Sequence, residues 1–149
     1  MKIEITEFVD GARNAKGIVV IIDVFRAFST ACYAFDSDAA RVLATAEPEE
    51  AFRLKKQYRN SFLAGERNEK KIPGFDAGNS PTEIIKNDLR GKTVILTTTA
   101  GTNGLANAKG ADMILGCCLV NADATVKYIR AIDPHFVQRS APSVSKRLH

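Results

Sequence analysis

The order of strand-like and helix-like segments predicts an α/β protein with three layers, α/β/α, around a mostly parallel or mixed sheet. Strands alternate with helices of about ten residues, which is typical of right-handed βαβ units. Residues 17–23 form an unbroken apolar, β-branched run, as strands buried on both faces do. The chain has 149 residues, of which 45% are hydrophobic and 26% charged. That size and composition fit one globular domain.

The first half of the chain supplies four predicted strands and two predicted helices. Residues 2–8 alternate between polar and apolar side chains, which indicates a half-exposed strand. Pro48 and the acidic residues around it suit the first turn of a helix, where the dipole is positive. The predicted strands are 2–8, 17–23, 41–46 and 61–64, and the predicted helices are 26–35 and 47–58.

The second half begins with a polar loop, residues 65–80, of a length that is usually functional or mobile. Ser80 and Pro81 then predict the N-cap and first position of a helix. The predicted helices are 81–87, 102–108 and 122–131, and the predicted strands are 92–97 and 112–115. Residues 133–149 are polar and basic without clear periodicity. We therefore predict a domain over residues 1–132, followed by an atypical tail with no further strand.

Charge and composition argue against several classes of function. The net charge of +4 comes from scattered basic pairs rather than a basic stripe, so we expect no nucleic-acid partner. A mild positive charge suits a small anionic substrate. No apolar run approaches the ~20 residues that span a bilayer, and the N-terminus lacks the apolar core of a signal peptide. We therefore expect a cytoplasmic protein with no membrane partner. The cysteines Cys32, Cys117 and Cys118 show no CxxC spacing and are expected to be buried thiols.

Charged side chains follow two of the predicted strands, at the carboxyl ends where open α/β sheets bind ligands. Asp23 ends one strand and Arg26 opens the next helix, while Glu66 and Arg67 follow the strand at 61–64. Such carboxylates can hold Mg²⁺ or act on substrate, and arginine pairs well with phosphate or sulfonate. A simpler interpretation remains open, in which Asp23 caps the helix and Arg26 is a solvated partner.

Two glycine-containing segments add anion-binding chemistry. Residues 74–81 place Asn79 and Ser80 directly before a helix, whose free N–H groups favour an anion. Residues 97–104 pack threonines and glycines between a strand and a helix, as an oxyanion cradle does. Neither segment has the Walker A or dinucleotide-binding pattern. The first is equally a tight turn with an N-cap, and the second a threonine-rich strand edge. Asn121 is best interpreted as an N-cap.

The position of the histidines limits the mechanism. Both histidines, His135 and His149, lie in the tail. A Ser-His-Asp or Cys-His mechanism, or a histidine-ligated metal, would have to draw on that tail. The remaining carboxylates, hydroxyls, amides and arginines favour Mg²⁺ and a phosphate ester.

Together these segments resemble the 2-phosphosulfolactate phosphatase family over roughly residues 1–132. The matching motifs are Ile22-Asp23-Val24-Phe25-Arg26-Ala27, Gly65-Glu66-Arg67, Gly74-Phe75-Asp76-Ala77-Gly78-Asn79-Ser80-Pro81 and Thr97-Thr98-Thr99-Ala100-Gly101-Thr102. The resemblance implies a three-layer α/β fold. It also implies Mg²⁺-dependent hydrolysis of 2-phospho-3-sulfolactate to 3-sulfolactate and phosphate, on a route to coenzyme M or sulfolactate. We expect the chain to depart from the family after about residue 132, as a truncation or frame shift would produce.

The same resemblance assigns roles to individual residues. The expected catalytic residues are Asp23, Arg26 and Glu66. The expected metal ligands are Asp23, Glu66 and Asp76. The expected substrate- and phosphate-binding residues are Asn79, Ser80, Thr98, Thr99, Gly101, Thr102 and Arg67.

Some alternatives stay open at this point. Either water or Asp23 attacks phosphorus. A non-catalytic anion-binding module and a nucleotide-handling α/β domain are the competing functions. An exposed sheet edge or helix face would favour a homo-oligomer.

Overall fold

The computed structural model describes residues 2–132 and 136–141 and confirms the α/β class. The strands are β1 (Lys2–Glu7), β2 (Gly17–Ile22), β3 (Arg41–Thr45), β4 (Ser61–Arg67), β5 (Lys70–Lys71), β6 (Thr93–Thr97), β7 (Ala111–Cys117) and β8 (Phe136–Ala141). The helices are α1 (Phe8–Arg13), α2 (Ala27–Asp36), α3 (Pro48–Gln57), α4 (Pro81–Ile84), α5 (Gly101–Asn107) and α6 (Ala122–Ile132).

The strands form two four-stranded sheets rather than the single sheet that the sequence pattern predicts. The first sheet has the order β1-β8-β2-β7, and all its neighbours are parallel. The second has the order β3-β6-β4-β5, with β5 antiparallel to β4 and the other pairs parallel. The mostly parallel or mixed character is therefore confirmed. Alternation of strands and helices does not specify which strands pair, so it could not divide them between two sheets.

Helices α2 and α5 contact both sheets. At the start of α2, Ala27 and Phe28 belong to the apolar core around β2, while Ala34 packs in the core of the second sheet. On α5, Gly104 lies so close to Ile21 of β2 that an added Cβ would stand 2.8 Å from the isoleucine Cγ2. Small residues on these helices therefore let the two sheets approach one helical layer from both sides.

Helix α3 covers the opposite face of the second sheet. Ala51 is fully buried there against Leu63 and Ile95 of the two central strands. Phe75 joins this core, and its ring meets the ring of Phe52 edge to face at 5.4 Å. Both faces of the second sheet are thus covered, as the three-layer prediction requires for that sheet.

Strand β8 lies in the segment predicted to be a tail without further strands, and that prediction is wrong over 136–141. It is a central strand that pairs on one side with β1 and on the other with β2. Val137 and Gln138 are both buried, and the Gln138 amide donates to the Thr6 hydroxyl and the Gly11 carbonyl. The segment looks too polar for a central strand, but its buried polar side chain has partners. The predicted domain boundary at residue 132 therefore falls between α6 and β8. The rest of the tail, 133–135 and 142–149, lies outside the described residues.

Smaller differences concern element ends. The sequence pattern missed α1 and β5, and α4 stops at Ile84 instead of continuing to residue 87. Strand β4 continues to Arg67, so Glu66 and Arg67 belong to the strand rather than to a loop. Over the part of the chain that the structure describes, no helix is long and apolar enough to cross a lipid bilayer.

Candidate active site

The carboxyl ends of three parallel strands meet at one edge of the second sheet. Thr45 of β3, Thr97 of β6 and Gly65 of β4 lie side by side in register. The hydroxyls of Thr45 and Thr97 are hydrogen-bonded at 2.6 Å. Gly65 approaches Thr97 so closely that an added Cβ would overlap the threonine carbonyl, with 3.0 Å to its carbon. The backbone is therefore tightly packed where the polar side chains of the site begin.

Asp23 reaches this edge from the first sheet. It follows β2, is buried, and accepts a hydrogen bond at Oδ1 from the Phe25 N–H at 3.1 Å. Its Oδ2 lies against Gly101, the first residue of α5, where an added Cβ would overlap the carboxylate and stand 2.6 Å from the Ala27 Cβ. Glycine at 101 is thus required for Asp23 to sit at the start of α5.

Burial raises the pKa of Asp23 above its ordinary value. Hydrogen bonds from the backbone N–H groups of Phe25 and Arg26 oppose that rise, the charge of Glu66 adds to it, and the charge of Arg26 opposes it. The structure therefore brings Arg26 and Glu66, two of the predicted catalytic residues, within electrostatic range of Asp23, the third.

Glu66 is held by backbone and hydroxyl donors. Its Oε1 accepts from the Thr99 N–H at 2.7 Å, and its Oε2 accepts from the Thr99 hydroxyl at 3.0 Å and the Glu69 N–H at 3.0 Å. Glu66 is the penultimate residue of β4 and Thr99 follows β6, so these bonds join two neighbouring strand ends. Thr99 therefore lies beside Glu66 with its hydroxyl bonded to that carboxylate, and its predicted role in phosphate binding stays a prediction.

Thr98 and Thr102 form hydrogen bonds with each other. The Thr98 N–H donates to the Thr102 hydroxyl at 2.9 Å, the Thr102 N–H donates to the Thr98 hydroxyl at 3.1 Å, and the Thr102 hydroxyl donates to the Thr98 carbonyl at 2.9 Å. Both side chains are buried. These bonds join the segment after β6 to the first turn of α5, and the expectation that the two hydroxyls bind phosphate stays a prediction.

Asp76 lies apart from the expected metal set. Its Oδ2 accepts from the Leu63 N–H at 2.8 Å and pairs with the Lys55 ammonium at 3.4 Å. Its own N–H donates to the Leu63 carbonyl at 2.9 Å. Asp76 therefore hydrogen-bonds the Leu63 N–H and carbonyl at the free edge of β4, as a neighbouring strand would otherwise do. The predicted grouping of Asp76 with Asp23 and Glu66 is corrected on this geometry.

The segment that leads to Asn79 and Ser80 runs alongside the end of β4. Ala77 forms a parallel bridge to Ala64, and its carbonyl accepts from the Gly65 N–H at 3.1 Å. Asn79 is buried, and its Oδ1 has no hydrogen-bond partner. A buried amide oxygen without a partner is costly and marks a place where a ligand group would be stabilised.

Ser80 occupies the N-cap position that the sequence predicts, but its side chain makes no capping hydrogen bond. The Ser80 hydroxyl instead shares a hydrogen bond with the Thr82 hydroxyl at 2.9 Å. Its predicted role in substrate binding stays a prediction.

The two predicted arginines are placed differently. Arg26 is exposed at the start of α2. The Arg67 guanidinium donates to the Ala46 carbonyl and pairs with Glu47 at 3.4 Å, and its Nη1 is buried without a partner. The carboxyl end of β3, including Thr45 and Ala46, thus borders the site. Sequence inspection did not single out these two residues, although their position at the carboxyl end of a predicted strand is the signal that singled out Asp23.

A two-residue hairpin closes the site beside Glu66. Asn68 and Glu69 connect β4 to β5, and both have positive φ, 50° and 66°. That pattern is a type I′ turn, which favours asparagine first and glycine second. The Asn68 N–H donates to the Thr99 hydroxyl at 3.3 Å, so the turn contributes to the hydrogen bonds around Glu66.

The carboxylates of Asp23 and Glu66 fit a magnesium ion. Among residues 2–132 and 136–141, no group of three His, Cys, Asp or Glu side chains is arranged to hold a metal. Magnesium in enzymes is commonly held by one or two carboxylates together with water and substrate phosphate. The charge of Glu66 adds to the raised pKa of Asp23, and a divalent cation beside Asp23 would offset that effect.

Comparison with known proteins identifies relatives over most of the chain. A sequence profile described as 2-phosphosulpholactate phosphatase matches residues 4–139, which extends past the predicted departure at residue 132. A probable 2-phosphosulfolactate phosphatase of Caldanaerobacter subterraneus is 44% identical over 74% of this chain and 47% of its own length. Proteins of the same description from Carboxydothermus hydrogenoformans and Clostridium beijerinckii are 39% and 37% identical over 87% and 92% of this chain, and 54% and 60% of their own lengths. The chain thus spans about half the length of the curated relatives it matches.

Proposed function

The chain belongs to the 2-phosphosulfolactate phosphatase family, and on that premise we propose that it hydrolyses a small phosphomonoester with Mg²⁺. The proposed substrate is 2-phospho-3-sulfolactate, which would give 3-sulfolactate and phosphate. Water is the second reactant, so one P–O bond is exchanged for another and no oxidant or second cofactor is needed.

The pairing of Asp23 with Glu66 at the start of α5 is the observation that supports this proposal most. Asp23 comes from the first sheet and Glu66 from the second, yet their charges act on each other. Glycine at 101 gives the Asp23 carboxylate room beside the first turn of α5. Two acidic groups that would hold a divalent cation suit a phosphate that reacts and then leaves.

Each residue has a proposed role in the reaction. The Phe25 N–H fixes one oxygen of Asp23 and leaves the other at Gly101, where it attacks phosphorus or orients the attacking water. Thr99 holds Glu66 in place through two hydrogen bonds. Arg26 is exposed beside Asp23 and would pair with the phosphate, carboxylate or sulfonate of the substrate.

Asp23 and Glu66 are the proposed ligands of Mg²⁺, without Asp76. Bound there, the ion would neutralise charge on the phosphate and on the two carboxylates. Asn79 is a proposed further contact, because its buried Oδ1 lacks a partner in the protein. As a carbonyl oxygen, it accepts a hydrogen bond from a protonated substrate group or ligates the cation.

A phosphate-release assay tests the proposal directly. The protein is treated with EDTA and assayed with 2-phospho-3-sulfolactate, with and without added Mg²⁺. We expect phosphate release that depends on Mg²⁺, and slower release from 2-phospholactate, which lacks only the sulfonate. Equal rates for both substrates would show that the protein does not recognise the sulfonate. No phosphate release from any small phospho-acid would refute the enzymatic function.

The same samples separate the competing functions. Calorimetry that shows 2-phospho-3-sulfolactate binding without turnover would favour the anion-binding module. Stabilisation by ATP or NAD would favour the nucleotide-handling domain. For the attacking group, a substrate whose phosphorus is made chiral with oxygen isotopes distinguishes the two routes. Direct attack by water inverts the configuration at phosphorus, whereas attack by Asp23 followed by attack of water at phosphorus retains it.

Three further expectations belong to this proposal. A cytoplasmic location and a place in coenzyme M or sulfolactate formation follow from the proposed reaction. A homo-oligomer is supported by α6, which has no buried residue and exposes Val126, Tyr128 and Ile132. Light scattering on the purified protein measures the oligomeric state.

A further inference from the structure

Thr99, the residue that holds Glu66, is itself held from two directions. Its N–H and its hydroxyl donate to the two Glu66 oxygens, and the hydroxyl also accepts from the Asn68 N–H. Its carbonyl accepts from the side-chain amide of Asn103, with 2.8 Å between Nδ2 and the carbonyl oxygen. Asn103 lies on α5, so Thr99 is fixed both by the strand end that carries Glu66 and by the helix that follows.

The bond from Asn103 gives α5 a link to the segment before it. Ala100 is the N-cap residue of α5 and makes no side-chain capping hydrogen bond. Thr99, one position earlier, is exposed. The Asn103 amide thus ties the residue before the cap to the first turn of the helix, a connection that a capping side chain ordinarily provides.

Asn107 makes the same kind of bond one turn later on the same face of α5. Its Nδ2 donates to the Asn103 carbonyl at 2.8 Å, and its Oδ1 accepts from the Arg13 Nε at 3.1 Å. Both asparagines therefore bond the carbonyl four residues back, which is a common local bond for this side chain. They differ in what they hold, because Asn103 holds the residue that is bonded to Glu66, whereas Asn107 holds the helix itself.

We infer that Asn103 is a positioning residue for Glu66 and acts on it through Thr99. The inference rests on the proposed function, in which Glu66 is a ligand of Mg²⁺. Without the Asn103 amide, the exposed Thr99 carbonyl turns to water, and the N–H and hydroxyl that face Glu66 lose their fixed direction. The Glu66 carboxylate then has more conformations to lose when a cation binds, which lowers the affinity for that cation.

The role of Asn103 predicts a particular division between cation affinity and turnover. Asn103 orients Glu66 before the cation binds, whereas a bound cation would itself keep the carboxylate in place. Loss of the Asn103 amide should therefore weaken Mg²⁺ binding and leave kcat and KM at saturating Mg²⁺ close to the wild-type values. A general loosening of α5 would change all three quantities.

Two leucine variants measure this division. Leucine resembles asparagine in size, cannot donate a hydrogen bond and favours helices more. For Asn103→Leu we expect binding of Mg²⁺ to the substrate-free protein, measured by calorimetry, to weaken about tenfold. The Mg²⁺ concentration for half-maximal phosphate release should rise by the same factor. Asn107→Leu is the matched control and should keep the wild-type values.

Amide hydrogen exchange of the metal-free protein tests the positioning without any activity or cation. We expect the Thr99 N–H to exchange faster in Asn103→Leu than in the wild type or in Asn107→Leu, because its bond to Glu66 opens more often. Asn103→Ala, which only removes atoms, should show the same increase. It replaces the leucine variant if circular dichroism shows that the latter is not folded.

The outcomes separate this inference from the proposed function. Unchanged Thr99 exchange or unchanged Mg²⁺ affinity in a folded Asn103 variant would overturn the inference, and so would an equal loss in Asn107→Leu. If the proposed function fails, the wild-type protein itself binds no Mg²⁺ and releases no phosphate. The role of Asn103 in cation binding then falls with it, whatever the exchange of Thr99.

Discussion

Glu66 accepts hydrogen bonds from both the backbone and the side chain of Thr99, at 2.7 Å and 3.0 Å. Glu66 is the penultimate residue of β4 and Thr99 lies two residues beyond the end of the neighbouring parallel strand β6, so this contact fixes the relative position of two strand ends. It also leaves Glu66 with acceptor oxygens in a fixed direction near Asp23. A carboxylate held in this way is ready to hold a cation without a further change in conformation.

Replacing Glu66 with glutamine tests whether activity needs the carboxylate in this position or only a polar side chain of the same size. Both Glu66 oxygens accept from Thr99 or Glu69, so the glutamine NH₂ group must face a donor. We expect Glu66→Gln to lower phosphate release by about 10²–10³-fold and to raise the Mg²⁺ concentration needed for half-maximal rate. Steady-state kinetics over a Mg²⁺ titration measures both effects. Glu49→Gln, an exposed change on α3, is the control, and an equal loss in that variant would point to a general effect of charge.

Asp23→Asn should remove activity while stabilising the protein at neutral pH. Burial raises the pKa of Asp23, so the folded state binds its proton more tightly than the unfolded chain. The ionised carboxylate therefore destabilises the fold above its raised pKa, and asparagine removes that cost. We expect phosphate release to fall by several orders of magnitude and the thermal midpoint to rise by about 2–4 °C for each kcal/mol gained.

The pH dependence of that gain identifies its cause. The stabilisation of Asp23→Asn over wild type should be complete at neutral pH and disappear as the pH falls below the ordinary aspartate pKa of about 3.9, where both states are protonated. Thermal melts of the two proteins between pH 3 and 8 measure this difference. Asp112→Asn, at an exposed position, is the control. A gain that is the same at every pH would contradict the assignment to ionisation, and near-normal turnover would remove Asp23 from the mechanism.

Variants of Thr102 test whether its hydroxyl supports the fold or binds phosphate. Its buried hydroxyl both donates to and accepts from Thr98, so Thr102→Val leaves the Thr98 N–H and carbonyl without that partner. We expect a loss of about 1–3 kcal/mol in the free energy of unfolding, measured by urea denaturation. Thr102→Ser keeps the hydroxyl and should stay close to wild type in stability and KM. If Thr102→Val instead raised KM without a loss of stability, while Thr102→Ser kept the wild-type KM, the hydroxyl would be a substrate contact.

The turn beside the site should tolerate an improvement in stability. Glu69 has a φ of 66° at the position where a type I′ turn favours glycine. Glu69→Gly should stabilise the protein by about 1 kcal/mol, since the left-handed conformation costs a residue with a Cβ that much. Its backbone N–H still donates to Glu66. Asn68→Gly should gain less, because asparagine already tolerates positive φ. Equal gains at both positions in thermal melts would show that the turn strain is not specific to Glu69.

Local sequence features predicted most elements and the principal acidic groups of the site. The period and composition of the β-branched run before Asp23 predict the strand that the structure shows as β2. Pro48 and its acidic neighbours start α3 at the expected place. Because parallel strands place their carboxyl ends together, Asp23 and Glu66 could be expected at one edge before any contact was known. These features depend on neighbours within a few residues, which the sequence displays directly.

The tertiary structure alone decided how the strands pair and which polar groups are used. The polar segment 136–141 becomes a central strand because Gln138 finds buried partners on β1 and α1. Asp76 belongs to the same motif as Asn79, yet it pairs with Leu63 at the edge of β4. Thr98 and Thr102 satisfy each other's polar groups at the start of α5. Each outcome depends on a partner distant in sequence or on competition for a hydrogen bond, and neither is encoded in local periodicity.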